Sequence, residues 1–93
     1  MKEFKGTPGP WVVDFNEIQA RWNIDNSKGD SVALTSQISF DKDFSKRDAN
    51  TMLIAAAPEL LEALMAIVET RPPNSTSLEV VNARLAISKA LGE

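Results

Sequence analysis

Histidine and cysteine are both missing from this 93-residue chain. Without cysteine there are no disulfides, no thiolate nucleophiles and no cysteine-ligated metals. Without histidine, Ser-His-Asp and Cys-His arrangements are excluded and the commonest general base is gone. Positive charge is also scarce: 10 Lys and Arg stand against 13 Asp and Glu, for a net charge of −3. That balance argues against non-specific nucleic-acid binding, which draws on dense Lys and Arg. The closest approach to a basic patch is Lys46 and Arg47, flanked by Asp41, Asp43 and Asp48. Two cations in acidic company read as a solvated loop.

Long hydrophobic runs are lacking too. The greasiest stretch, "MLIAAAPELLEALMAIV", is broken by Pro58 and carries Glu59 and Glu62, so it does not read as a membrane span. "MKEFKGTPGPW" carries charge but no apolar core of a signal peptide. A cytoplasmic protein is the expectation. The apolar content of 43% and charged content of 25% are ordinary globular values. A chain of this length suits a single domain with one modest core.

What is present begins with alternation. Residues 1–6 read as a flexible tail and residues 11–40 as antiparallel strands. Trp11, Val13 and Phe15 share one face; Ile18, Ala20, Trp22 and Ile24 share another; Val32, Leu34, Ser36, Ile38 and Phe40 form a third run. Period-two runs with one apolar face suggest a meander. The turn between the second and third runs is marked by Asn26, Ser27, Lys28, Gly29 and Asp30. The first turn, near Asn16 and Glu17, has no glycine, which leaves its register open.

Helical spacing takes over from Ser45. Leu53, Ala57, Leu60, Leu64 and Ile67 form one stripe across residues 45–70. Pro58 either kinks this helix or begins a second one after a bend at Ala57. Glu59, Glu62, Ala66 and Glu69 line the opposite face, either as a solvated surface or as a docking face for a basic partner. After "TRPPN", Thr76 and Glu79 suggest a capping box for a helix over 77–91, closed by Gly92. Its apolar residues spread over two stripes, Leu78, Val81, Leu85 and Ser88 beside Val80, Ile87 and Leu91. So wide an arc implies burial on two sides or a partner.

Sites for chemistry are few. Asp41, Asp43 and Ser45 occupy the first three ligand positions of a calcium loop, but Lys46 stands where glycine is required and Met52 where the bidentate glutamate belongs. "KGTPG" lacks the ending of a phosphate loop. No carboxylate pair has a distinctive local context, so neither metal nor other cofactor is expected, and neither is an enzyme. Trp11 and Trp22 fall on the inner sheet face as core aromatics; the competing reading makes them stacking platforms or partner anchors.

Three segments together are familiar: "TPGPW" at 7–11, "ANTMLIAAAPELLEAL" at 49–64 and "ARLAISKALGE" at 83–93. In this they resemble a group of small phage and prophage proteins pairing T-P-G-P-W with A-N-x-x-L-I-A-A-A-P-E/D-L-L-E-A-L. That pattern most often has Ala-Arg where this chain has Thr51 and Met52, a difference expected on the helix surface. The resemblance implies a phage or prophage accessory product acting inside a bacterial host cell and carries no catalytic residues with it.

The reading is therefore an α+β fold: a three-stranded antiparallel sheet packed on a bent helix and a C-terminal helix. Its expected role is a non-enzymatic, homodimeric interaction module that binds and modulates a host or phage protein in host takeover. The contact candidates are Trp11, Trp22, Lys46, Arg47, Glu59, Glu62 and Glu69. The alternative is a nucleotide-sequestering protein used against host defence, with a tryptophan platform and Lys42, Lys46, Arg47 or Arg21 for phosphates.

Overall fold

The computed structural model describes residues 4–35 and 44–93. Among them run three strands, β1 (Trp11–Asn16), β2 (Arg21–Asn26) and β3 (Ser31–Thr35), then three helices, α1 (Ser45–Ala55), α2 (Ala57–Glu69) and α3 (Leu78–Ala90). The fold is α+β, with an open antiparallel sheet in the order β1-β2-β3. Thr7–Pro58 forms one compact unit, the sheet with α1; Glu59–Glu93 and residues 4–6 form a second. No single helix among the described residues is long and apolar enough to cross a membrane. Expectations for residues 1–3, Ser36, Ile38, Phe40, Asp41, Lys42 and Asp43 lie outside the described residues.

In the sheet unit, β1 pairs with β2 so that Val13 meets Ile24 and Phe15 meets Trp22. β2 pairs with β3 so that Ile24 meets Ala33 and Trp22 meets Thr35, with an irregularity between Ile24 and Asp25. Cross-strand partners share a face, so the inner face is Trp11, Val13 and Phe15, then Trp22 and Ile24, then Ala33 and Thr35. Ile24 sits at its centre with no exposed surface, a burial that favours folding by about 1.5–3 kcal/mol.

Two parts of the strand expectation are corrected. Ile18 and Ala20 do not belong to β2: residues 17–20 are a turn, and Ile18 is 97% exposed. The Asn16 side chain builds that turn, its Oδ1 accepting the amides of Ile18 and Gln19 at 3.1 Å each. An Asx turn of this kind needs no glycine, although Ala20 then adopts the left-handed region at φ 51. Second, Leu34 lies opposite Asn23 on the outer face and is exposed, while Ala33 and Thr35 point inward. The irregularity at Ile24/Asp25 absorbs one residue of β3, and a one-residue slip reverses every side chain after it.

The second turn forms where its residues placed it. Asn26 Oδ1 accepts the amides of Lys28 at 3.0 Å and Asp30 at 2.9 Å. Gly29 takes φ 87, a conformation that costs glycine nothing.

The helical stretch around Pro58 is two helices. α1 stops at Ala55, Ala56 caps it, and Pro58 occupies the first turn of α2, where a missing amide leaves no bond unmade. The break falls at Ala56 rather than Ala57. Gly9 packs here as well: a Cβ on Gly9 would lie 2.6 Å from the Pro58 Cβ. That contact ties "TPGPW" to "AAAPELL", since only glycine fits beneath the proline.

In the helical unit the expected stripe does not hold. Val68 is buried and Leu61, Leu64 and Met65 are half-buried, while Leu60 and Ile67 are each 54% exposed. Leu53, at the other end of the stripe in α1, is exposed too. α3 buries Val80 and Ile87 and turns Leu78, Val81 and Leu85 outward. Its N-cap is Ser77, which makes no side-chain bond, so the Thr76–Glu79 capping box does not form. Instead Arg84 braces the preceding turn, donating to the carbonyls of Pro72 at 2.9 Å and Ser75 at 3.2 Å. The C-terminus closes as expected: Gly92 has φ 80, its amide bonds Lys89 O at 3.2 Å, and Glu93 N bonds Ser88 O at 2.9 Å, the Schellman pattern.

Candidate functional site

The inner sheet face and the first two turns of α1 meet in a cluster of charged, aromatic and hydroxyl groups. The Trp22 indole N–H donates to Asp48 Oδ1 at 2.8 Å. Arg47 donates to the same oxygen through Nε at 3.1 Å and Nη2 at 3.0 Å, and through Nη1 to the carbonyl of Ala20 at 3.3 Å. The Arg47 guanidinium carbon stands 4.5 Å from the Phe44 ring centroid and 5.3 Å from that of Phe15, within cation–π range. Phe15 in turn meets Trp22 edge-on at 5.2 Å, a favoured aromatic arrangement.

One turn further along, Thr51 has no exposed surface. Its hydroxyl bonds the Arg47 carbonyl at 2.8 Å and the Thr35 hydroxyl at 2.6 Å. Thr51 is therefore an interior contact between α1 and β3, not the surface variation its sequence context suggested; Met52 is on the surface. The reading of Lys46 and Arg47 as a solvated loop is revised likewise. Both lie in the first turn of α1, and the Arg47 side chain is only 9% exposed.

The electrostatics follow from these contacts. Hydrogen bonds from the Trp22 indole and then from Arg47 hold the Asp48 carboxyl below its ordinary value of 3.8, against a smaller opposing effect of desolvation. Asp48 is thus an ionised acceptor with three donors on one oxygen. Such a group orients its neighbours and pins a helix to a sheet; it is poorly suited to exchanging protons near neutral pH.

The remaining candidates are dispersed. Trp11 is half-buried and donates its indole N–H to the carbonyl of Thr7 at 3.2 Å. It pairs with Asn26, whereas Trp22 pairs with Phe15. The two tryptophans are thus four residues apart along the ladder, about 13 Å, too far to sandwich one base. Arg21 lies on the opposite sheet face from Trp22, as their adjacency in β2 requires; its Nε has no hydrogen-bond partner among the described residues. Lys46 is exposed, and Glu59, Glu62 and Glu69 are exposed on α2. No group of three or more acidic residues among the described residues is arranged to hold a metal.

The contacts missed by sequence reasoning are Thr35, Phe44, Asp48, Thr51 and Arg84. A signal existed for one of them. Arg47 and Thr51 are four apart on a helix, so a threonine within an otherwise apolar face had a local backbone carbonyl to bond. Nothing local marks Asp48, whose partner Trp22 is 26 residues away.

Comparison with curated proteins finds no match to the chain, and comparison with solved structures finds none. A family model does match it, and over residues 1–93. The chain is thus a small phage protein, and it belongs to the family of Salmonella phage P22 protein Y8K6.

Proposed function

We propose that this phage protein is a non-enzymatic accessory module that binds and modulates a host or phage protein inside the infected cell, working as a homodimer. The observation that carries the reading is the surface of α2. Leu60 and Ile67 stand exposed on the same helix as exposed Glu59, Glu62 and Glu69. Exposed apolar side chains on one side of α2 and a row of carboxylates on the other offer an apolar contact and a docking face for a basic partner. The ionised Asp48, whose Oδ1 already takes three donors, supports the non-enzymatic part of the reading. A nucleotide-binding role draws less support, because the Arg47 donors it would need are already used.

The test is affinity capture from infected cells with the wild-type chain and with a Glu59→Lys/Glu62→Lys/Glu69→Lys variant of unchanged circular dichroism. The expected result is a protein retained by the wild type and lost from the variant. Identical captures from both, or none from either, would contradict the proposal.

A further inference from the structure

We infer that α3 is the homodimer contact, pairing antiparallel with α3 of a second copy of this chain. The inference rests on the homodimer reading above and names the surface responsible. At 100° per residue, Leu78, Asn82, Leu85 and Lys89 fall within an arc of about 60°, and all four are exposed. Leu78 is 70% exposed and Leu85 64%, while Val80 and Ile87, on the opposite side of α3, are buried. Val81 and Ala86 flank the stripe and are also exposed. A helix with one apolar face spent on its own core and a second turned outward has a surface left to cover.

The charges select the occupant. Glu79 lies in the first turn of α3 and Lys89 in the last, and both are exposed. An antiparallel copy that sets Asn82 opposite Leu85 of its partner sets Leu78 opposite Lys89. The Lys89 stem then covers leucine and its ammonium reaches Glu79 on the other helix. Two-fold symmetry repeats the pair at the other end, and the helix dipoles also oppose. A parallel copy would place Lys89 against Lys89 and Glu79 against Glu79. Asn82 sits near the dyad, where a polar residue specifies register. One 13-residue helix per protomer makes a small interface, so the dimer is weak and concentration-dependent.

Sedimentation equilibrium of the full chain across a range of concentrations tests this. The wild type is expected to dimerise reversibly, and Leu85→Asp to be monomeric with unchanged circular dichroism. Lys89→Glu should weaken dimerisation about tenfold, and Glu79→Lys combined with Lys89→Glu should restore it. Because the chain has no cysteine, single substitutions report the direction of pairing. Asn82→Cys should oxidise readily to a crosslinked dimer, its two copies offset by about 4.5 Å along the axis; Leu78→Cys should not, at about 16 Å. A monomeric wild type would overturn both this contact and the homodimer reading. A dimer that survives Leu85→Asp, or that crosslinks through Leu78→Cys, would overturn the contact alone.

Discussion

The sheet unit and the helical unit are held by different kinds of contact. In Thr7–Pro58 the decisive bonds are long in sequence: Trp22 to Asp48, Thr35 to Thr51, Arg47 to Ala20, and Gly9 beneath Pro58. Each joins α1 or the start of α2 to a strand, a turn or the lead-in to β1. In Glu59–Glu93 the polar bonds are local, Arg84 to Pro72 and Ser75 and the closing turn at Gly92. Its buried apolar residues are Val68, Val80 and Ile87, while Leu60, Ile67, Leu78 and Leu85 are exposed. Long-range polar contacts specify one arrangement, whereas a thin apolar contact leaves surface for other chains. The sheet unit also leaves large apolar side chains exposed, among them Val12, Leu34 and Leu53; what sets it apart is that its polar contacts reach across the sequence.

The largest expected effect separates the two cores. Ile24→Ala removes a side chain closed on all sides and should cost about 2–5 kcal/mol in urea unfolding followed by tryptophan fluorescence. Ile87 is buried as well, but the exposed helix around it can relax into the gap, so Ile87→Ala in dilute protein should cost less. Equal losses would dissolve the distinction between the units.

Gly9→Ala should destabilise by about 1–3 kcal/mol, because its Cβ would press on Pro58 and the backbone must shift. The same measurement on Gly29→Ala would report the cost of φ 87 alone, with open space around the new methyl. A loss at Gly9 no larger than at a neutral surface position would remove the physical link between "TPGPW" and "AAAPELL".

An effect of similar size is expected at the Thr35–Thr51 hydroxyl pair. Thr51→Val leaves the Thr35 hydroxyl without its partner and should cost about 1–3 kcal/mol, part of it recovered by adding Thr35→Val. Additive losses would mean the two threonines do not act as a pair.

The gentlest probe is pH. Asp48 has a depressed pKa in the folded chain, so its contribution to stability is complete above its ordinary 3.8 and is lost as pH falls below that value. Trp22 emission should change over the same acidic range, and Asp48→Asn should flatten that change. A Trp22 response centred near neutral pH would contradict the assignment.

Much of the fold was legible in the sequence because its periods are clean. Alternation gave β1 and the end of β2, "DNSKGD" gave the second turn, and Gly92 gave the end of α3. What failed depended on distant partners. Nothing near Leu34 announces the bulge at Val32, which is set by the pairing of β3 with β2, so its face was misread. Arg47 looked solvated because its immediate neighbours are acidic, yet the sheet brings Phe15 and the Ala20 carbonyl to meet it. Thr51 looked superficial because Thr35, its partner, lies beyond a strand-to-helix connection. The contact candidates were legible as residue types only; exposure separated Lys46 and the three glutamates from the half-buried tryptophans and Arg47.

Amide hydrogen exchange of the full chain at two protein concentrations tests the contrast between the units most directly. The amides of β2 should show strong protection that does not change with concentration, because β2 is the central strand, paired on both sides within the chain. Those of α3 should be weakly protected in dilute protein and gain protection as concentration rises and a second copy covers Leu78, Asn82 and Leu85. Protection of α3 equal to that of β2 and unchanged on dilution would contradict it.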